Sequence, residues 1–189
     1  CFQGEIDASY HFKLNEASNV VYRIFAGVGW PYGNTSKAMP FEEQYFGGGA
    51  NDIRAWVVRT LGPGSYVLDE DAFINQTAYI KLIGNVEYRF KLFWILEGAT
   101  FIDVGNIWTF RYDEGRPGGQ FRFDSFLNDI AVGTGLGLRF DIKFVLLRAD
   151  FGFKLRDPQA IAGTRWRPLT GEYNIDDDVT LVIGIGYPF

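Results

Sequence analysis

Few residues of this chain could do chemistry, and they do not converge. The one histidine, His11, sits among alternating charged positions with no Cys, Ser or second His in a catalytic arrangement, so it reads as a polar strand residue. Gly47-Gly48-Gly49 could cradle a phosphate, but no Lys-Ser/Thr pair or following helix completes such a loop. Asp176-Asp177-Asp178 could attract a cation, with a solvated acidic loop ahead of a strand as the default reading. The single cysteine is Cys1, which rules out an internal disulfide; a mature lipoprotein also begins with Cys, while Phe2-Gln3-Gly4 resembles the scar of a cleavable tag. No catalysis, metal or cofactor is implied, so function must come from architecture and binding.

The elements that would position any site are strands. Period-two alternation dominates the sequence. From Tyr79 to Phe90 one face carries Ile80, Leu82, Gly84, Val86, Tyr88 and Phe90, and the other Tyr79, Lys81, Ile83, Asn85, Glu87 and Arg89. In the stretch from Ala131 to Asp141 the second face is Ala131, Gly133, Gly135 and Gly137, then Arg139 and Asp141. Seven strands are expected, at roughly 4–14, 19–30, 78–92, 95–108, 129–142, 143–155 and 178–189, each near the ~10 residues that cross an outer membrane when tilted. Connections alternate. Asn15 to Ser18, Phe93-Trp94 and Ile142-Lys143 are tight, whereas 31–77, 109–128 and 156–177 are long and rich in Gly, Pro, Asp and Asn.

That pattern points to an all-β, antiparallel transmembrane barrel rather than a soluble sandwich or lipocalin-like barrel. Aromatics sit near strand ends (Tyr10, Phe12, Trp30, Tyr88, Phe90, Trp108, Phe153, Tyr187, Phe189), as interfacial girdles do, and the opposite faces are charged or glycine-rich, which suits a wet lumen. Ile80, Leu82, Val86, Ile102, Val104, Leu136, Leu138, Ala149, Phe151, Ile183 and Ile185 are expected to face lipid. Glu87, Arg89, Asp103, Arg139, Arg148 and Asp150 are expected to face the interior. If the tight turns are periplasmic, Phe189 ends at the periplasmic rim. A mean hydropathy of -0.05 is compatible with this, because only one face must be apolar. The net charge of -5 and the scattered cations exclude a basic nucleic-acid-binding face. Seven strands fall short of the ~8 of the smallest closed membrane barrels, so the chain is expected to be the C-terminal portion of a larger one, with the isolated chain not closing.

The 31–77 connection is too apolar to be a solvated tail and is expected to bury itself in the lumen. With Phe46-Gly47-Gly48 followed by Ile53-Arg54-Ala55-Trp56, then Glu87-Tyr88-Arg89-Phe90, Phe101-Ile102-Asp103-Val104-Gly105, Gly135-Leu-Gly-Leu-Arg139 and Arg148-Ala-Asp-Phe-Gly152, the chain resembles the BamA/TamA-type outer-membrane assembly factors, the bacterial surface antigen family. The wording of Arg59-Thr-Leu-Gly-Pro-Gly-Ser-Tyr66 is most similar to members from the Bacteroidetes group.

The resemblance spans essentially the whole chain. It implies a barrel of roughly sixteen strands, of which these residues supply the last seven, with earlier strands and periplasmic POTRA domains elsewhere in the protein. It implies outer-membrane lipid and client proteins as partners and a non-enzymatic role in assembly or translocation, the alternatives being a passive channel or the anchor of a fused enzyme. The loop motif maps to Gly47, Gly48, Ile53, Ala55 and Trp56. Arg54 would pair with Asp103 and, second, Glu87, the glycines would let the backbone pass close to the wall, and Trp56 would pack alongside. Ala55 departs from the motif's glycine and would be strained if that position needs φ > 0. The seam strand would run from Val179 to Phe189, weakened by Gly184 and Gly186 and ended by Pro188, Tyr187 and Phe189.

Overall fold

The computed structural model describes residues 2–31, 39–67, 76–142, 144–171 and 173–189. Among these residues nine strands form two antiparallel sheets. The large sheet contains β1 (Phe2–Lys13), β2 (Ser18–Trp30), β5 (Ile80–Phe93), β6 (Leu96–Trp108), β7 (Ala131–Asp141), β8 (Leu146–Arg156) and β9 (Val179–Ile185), in that spatial order; β3 (Tyr45–Phe46) and β4 (Thr77–Ala78) form a two-stranded sheet of their own. Each large strand therefore lies beside its sequence neighbour, and the fold is an antiparallel meander. No helix among the described residues is long and apolar enough to cross a membrane.

The register puts the chemistry on one face. Because side chains alternate, residues linked across successive ladders share a face. One line runs Arg23, Asn85, Asp103, Gly133; the next runs Val21, Glu87, Phe101, Gly135, Gly152, Thr180; a third runs Arg89, Ala99, Gly137, Asp150, Val182. The segment from Met39 to Leu61 covers this face, and its Ile53, Ala55, Trp56 and Leu61 join Ile83 and Ala131 in a buried cluster, with Phe25 packed against it. Glu87, Arg89, Asp103, Arg139, Arg148 and Asp150 are all buried there.

The other face is bare. Val86, Ile102, Leu136, Leu138, Phe151, Ile183 and Ile185 are exposed, and Leu82, Val104 and Ala149 half-exposed. Ile80, expected with this set, is buried. It pairs with Trp108 at the end of the sheet where the 109–128 connection folds back, stacking Phe121 and Phe126 edge-on against that indole.

Element ends differ from the sequence-based ranges in instructive places. β8 begins at Leu146, because Ile142 and Val145 close the turn between them; Lys143 lies outside the described residues, as do Cys1 and the 32–38 and 68–75 parts of the long connection. Phe2, Gln3 and Gly4 pair with Trp30, Gly29 and Val28. Asp176 to Asp178 are not an open loop. They form α1 (Ile175–Asp178), capped by Asn174, whose side chain accepts from the Asp176 N–H; Asp178 is buried and held by Arg167 at 3.0–3.2 Å.

The largest difference is at the end of the chain. β9 stops at Ile185, and Gly186, at φ +84, takes the backbone out of the ladder through a conformation that glycine adopts without steric cost. Tyr187 and Phe189 thereby leave the bare face expected of them. Tyr187 donates to Glu97 Oε2 at 3.1 Å and lies under Arg89, while the Phe189 ring sits 5.7–5.8 Å from the guanidinium carbons of Arg23, Arg54 and Arg89. Arg89 also donates to the Phe189 carbonyl at 3.3 Å. Three guanidiniums around one ring account for the inward turn.

Candidate functional site

The site is built around a tight reversal in the covering segment. Gly47 bridges to Leu61, Gly49 N–H donates to the Trp56 carbonyl (2.9 Å), and Arg59 N–H donates to the Gly47 carbonyl (2.9 Å), so the two limbs lie against each other. Gly48, at φ +86, has no room for a side chain: a Cβ would fall 2.4 Å from the Val57 oxygen. The glycines therefore let the segment close on its own returning limb, not on the sheet as the sequence suggested. Ala55 lies outside the positive-φ region, so it carries no strain there.

The reversal presents Asn51 to Ala55 to the sheet, with Arg54 fully buried at its centre. Arg54 donates from Nε and Nη2 to the two oxygens of Asp103, each at 2.8 Å, from its backbone N–H to the same carboxylate at 3.1 Å, and from Nη1 to Glu87. Its guanidinium carbon lies 3.5 Å from the Phe101 ring centroid. A planar fork gripping one carboxylate bidentately and a second at the side is a geometry that Lys could not reproduce. The structure brings Arg54, Asp103 and Glu87 together, and packs Trp56 beside them in the apolar cluster.

Glu87 also accepts from Arg89 Nε at 2.7 Å and Arg139 Nη2 at 3.0 Å. Arg139 continues to Asp150 (2.8 Å), which accepts from Arg148 at 2.9 Å. Buried charges are tolerated only when paired and bonded, and here four guanidiniums and three carboxylates form one connected network. Space for them comes from missing side chains. At Gly137 a Cβ would stand 1.9 Å from Arg139 Nη1 and 2.1 Å from Asp150 Oδ1, at Gly184 2.7 Å from Arg148 Nε, and at Gly152 2.7 Å from the Arg54 carbonyl oxygen. The glycine-rich face is thus a floor on which arginines and the segment lie. Gly184, placed in the seam by sequence, makes room for Arg148, whereas Gly186, Tyr187 and Phe189 lie beyond the strand itself.

Further contacts, absent from the sequence reading, tie the reversal to most of the sheet. Arg23 in β2 holds Asp7 of β1 through two bonds (2.8 and 2.7 Å) and donates to the Asn51 carbonyl (2.8 Å). Asn85 in β5 donates to the Asp52 carbonyl (2.9 Å) and to Asp103 (2.8 Å). Arg148 in β8 reaches Asn51 Oδ1 at 2.5 Å, and Thr180 in β9 donates to the Ala55 carbonyl at 3.0 Å. Lys81 donates to Asp52 at 2.6 Å and to the Phe46 carbonyl at 2.9 Å. Burial pushes the Asp52 carboxyl up to about 6, against the pull of that ammonium. Sequence alternation placed Lys81 and Asn85 on the right face, but among their acceptors are the backbone carbonyls of Phe46 and Asp52, which leave no mark in a sequence. His11 remains an exposed strand residue. Among the described residues no group of three or more His, Cys, Asp or Glu side chains could hold a metal ion. Chemically, the arrangement can clamp a loop; it presents no nucleophile with an adjacent base.

Comparison with known proteins fits this geometry. The solved structure of BamA from Haemophilus ducreyi lacking POTRA domains 1–3 superposes with a TM-score of 0.62 at 14% identity, over 97% of this chain and 35% of that one. At that identity the likeness is one of fold: the seven-stranded meander is the same kind of sheet as that barrel. The chain thus spans about a third of the length of the structure it matches. A family model, the Omp85 superfamily domain, matches residues 1–173, well over half of the sequence. The chain belongs to the Omp85 superfamily.

Proposed function

We propose that this chain is the C-terminal portion of the barrel of an outer-membrane protein assembly or translocation factor, of the kind most similar to Bacteroidetes members. In this reading the 189 residues supply the last seven of roughly sixteen strands. The loop face lines the lumen, the bare face meets lipid, and POTRA domains and the earlier strands belong to the rest of the protein. Client strands would pair by β-augmentation at β9, the seam strand, which is bonded to β8 over Val179 to Ile185 and then leaves the ladder at Gly186.

The observation that carries the reading is the buried Arg54 clamp. One loop arginine engages carboxylates from two adjacent strands, while Thr180 bonds the next residue's carbonyl, so the loop and the seam strand are held as one unit. A wide-open passive channel has no need of a loop clamped against its wall this way.

The test is a double-mutant cycle in the intact protein, read out as client assembly. Removing one partner of a buried pair leaves the other uncompensated, at about 3–5 kcal/mol. Arg54→Ala and Asp103→Ala are expected to impair assembly to similar extents, with the double mutant little worse than either. Fully additive losses would sink the clamp. Wild-type assembly by both single mutants, with steady ion conductance through an open lumen, would replace the reading with the channel.

A further inference from the structure

The bare apolar face does not end where the strands end. Its last line toward the tight turns runs Phe93, Leu96, Phe140, Leu147, Ile185, apolar at every position across five strands. Beyond that line a soluble rim would become polar, as it does at the tip of the β1–β2 turn, where Asn15 and Glu16 are exposed and Leu14 before them is the one large apolar side chain. The β5–β6 and β7–β8 turns do the opposite. Trp94 is 102% exposed and Phe144 96%, flanked by exposed Ile95, Ile142 and Val145.

Trp94 is also held where a tryptophan has no local reason to be. It is the first residue of a two-residue hairpin turn, at φ +48, a position that favours Gly or Asn and that a bulky side chain occupies only with strain. An observed outlier of this kind asks for a function that compensates it. Indole and phenyl rings that continue an apolar belt past its last ladder line match the interfacial zone of a bilayer, where amphipathic aromatics gather.

We propose that the Phe93-Trp94-Ile95 and Phe144 turn tips are inserted into the headgroup region of a phospholipid leaflet, anchoring the β5–β8 side of the tight-turn rim while the polar β1–β2 turn stays in water. The proposal rests on the reading of the bare face as lipid-facing, and extends that contact from strands to turns. A protein partner docked on the same tips is the competing occupant; continuity with the belt favours lipid.

The test uses the intact protein reconstituted in phosphatidylcholine vesicles brominated either near the headgroup or near the acyl terminus. The fluorescence lost in Trp94→Phe isolates the Trp94 signal, and Phe144→Trp in that background reports on the second turn. Both are expected to be quenched more by shallow bromines than by deep ones. Failure of either to respond overturns the proposal; emission shielded from both bromine and aqueous iodide assigns that tip to protein. Leu136→Trp in the same background, on the middle of the bare face, separates the two levels of the argument. If it is quenched by deep bromines and the tips are not, only the turn anchor fails, whereas an unquenched Leu136→Trp defeats the lipid-facing reading as well. Trp94→Gly removes the backbone strain, so unfolding in detergent should be unchanged or require more heat, while insertion into vesicles slows. Insertion at the wild-type rate would count against the anchor.

Discussion

On one face of the large sheet Arg54, Glu87, Asp103, Arg139 and Asp150 are buried to completion, while on the other Ile102, Leu136 and Ile183 stand uncovered. Apart from Arg54, which the covering segment supplies, the buried and the exposed residues alternate along the same strands, often as immediate neighbours: Ile102 precedes Asp103, and Leu138 precedes Arg139. A soluble domain distributes its residues the other way round. The difference shows what each face is selected for. The loop face is specified by volume and bond geometry, with glycines as floor and arginines as struts. The bare face needs only to be apolar. A one-residue slip in any strand would exchange the two, so the register is held from both sides.

The comparison can be broken most directly from the bare side. Leu136 lies on a line with Thr100 and Phe151 in the middle of the sheet. Leu136→Lys is expected to destabilise the protein in vesicles by about 2–4 kcal/mol, the cost of a lysine near a bilayer midplane. Equilibrium unfolding from vesicles measures it, and a change below a few tenths of a kcal/mol would mean that this face does not meet hydrocarbon.

A smaller effect sharpens the volume rule. At Gly152 an added Cβ would stand 2.7 Å from the Arg54 carbonyl oxygen and 2.8 Å from the Ala55 Cα and N, all backbone atoms that cannot rotate away. Gly152→Ala should therefore cost roughly 1–3 kcal/mol and expose the Gly47–Leu61 amides to hydrogen exchange. Ala149→Val, three residues earlier on the bare face, should change stability by no more than about 0.5 kcal/mol. Equal effects at the two positions would erase the distinction between the faces.

Much of this was legible beforehand, for a physical reason: period-two alternation encodes face, and face decided which charges could meet. Asp103 and Glu87 share a face of adjacent strands, and the long apolar connection had to bury somewhere; that Arg54 would be the residue to meet them came from the resemblance to the assembly-factor family, not from the alternation. The end of β9 could not be anticipated. Alternation places Tyr187 and Phe189 with Ile185, but a single left-handed glycine at 186 carries them to the opposite face, and nothing in the pattern marks that turn. Ile80 failed for a related reason, since alternation says nothing about a connection folding back over the strand end. The contacts of Arg23, Asn85 and Thr180 with loop carbonyls were hidden because their acceptors are the same in every sequence.

The smallest expected effect separates charges held by many partners from charges held by few. Asp103 accepts from three nitrogens of Arg54 and from Asn85, whereas among the described residues Asp52 is bonded through its side chain to Lys81 alone, with Oδ1 buried and unpartnered. Burial therefore outweighs the ammonium and lifts the Asp52 carboxyl from its ordinary 3.8 to about 6. A carboxyl whose folded pKa is raised favours the protonated state on folding. Its contribution to loop docking is then complete below pH 3.8, falls as the pH rises toward 6, and is flat above that. Asp52→Asn mimics the protonated acid and leaves Lys81 its bond to the Phe46 carbonyl at 2.9 Å. At neutral pH the substitution should leave the loop at least as stable as in the wild type, against the several kcal/mol lost at Asp103, because the amide avoids the desolvation that penalises the ionised Asp52 carboxylate. Hydrogen exchange of the Gly47–Leu61 amides, corrected for intrinsic rates, should show the wild-type loop loosening between pH 4 and 6 and the Asn variant holding constant, within the window set by those two values. A loss at Asp52→Asn as large as that at Asp103→Ala would mean that any buried charge on this face is indispensable, and that membership of the arginine network is not what matters.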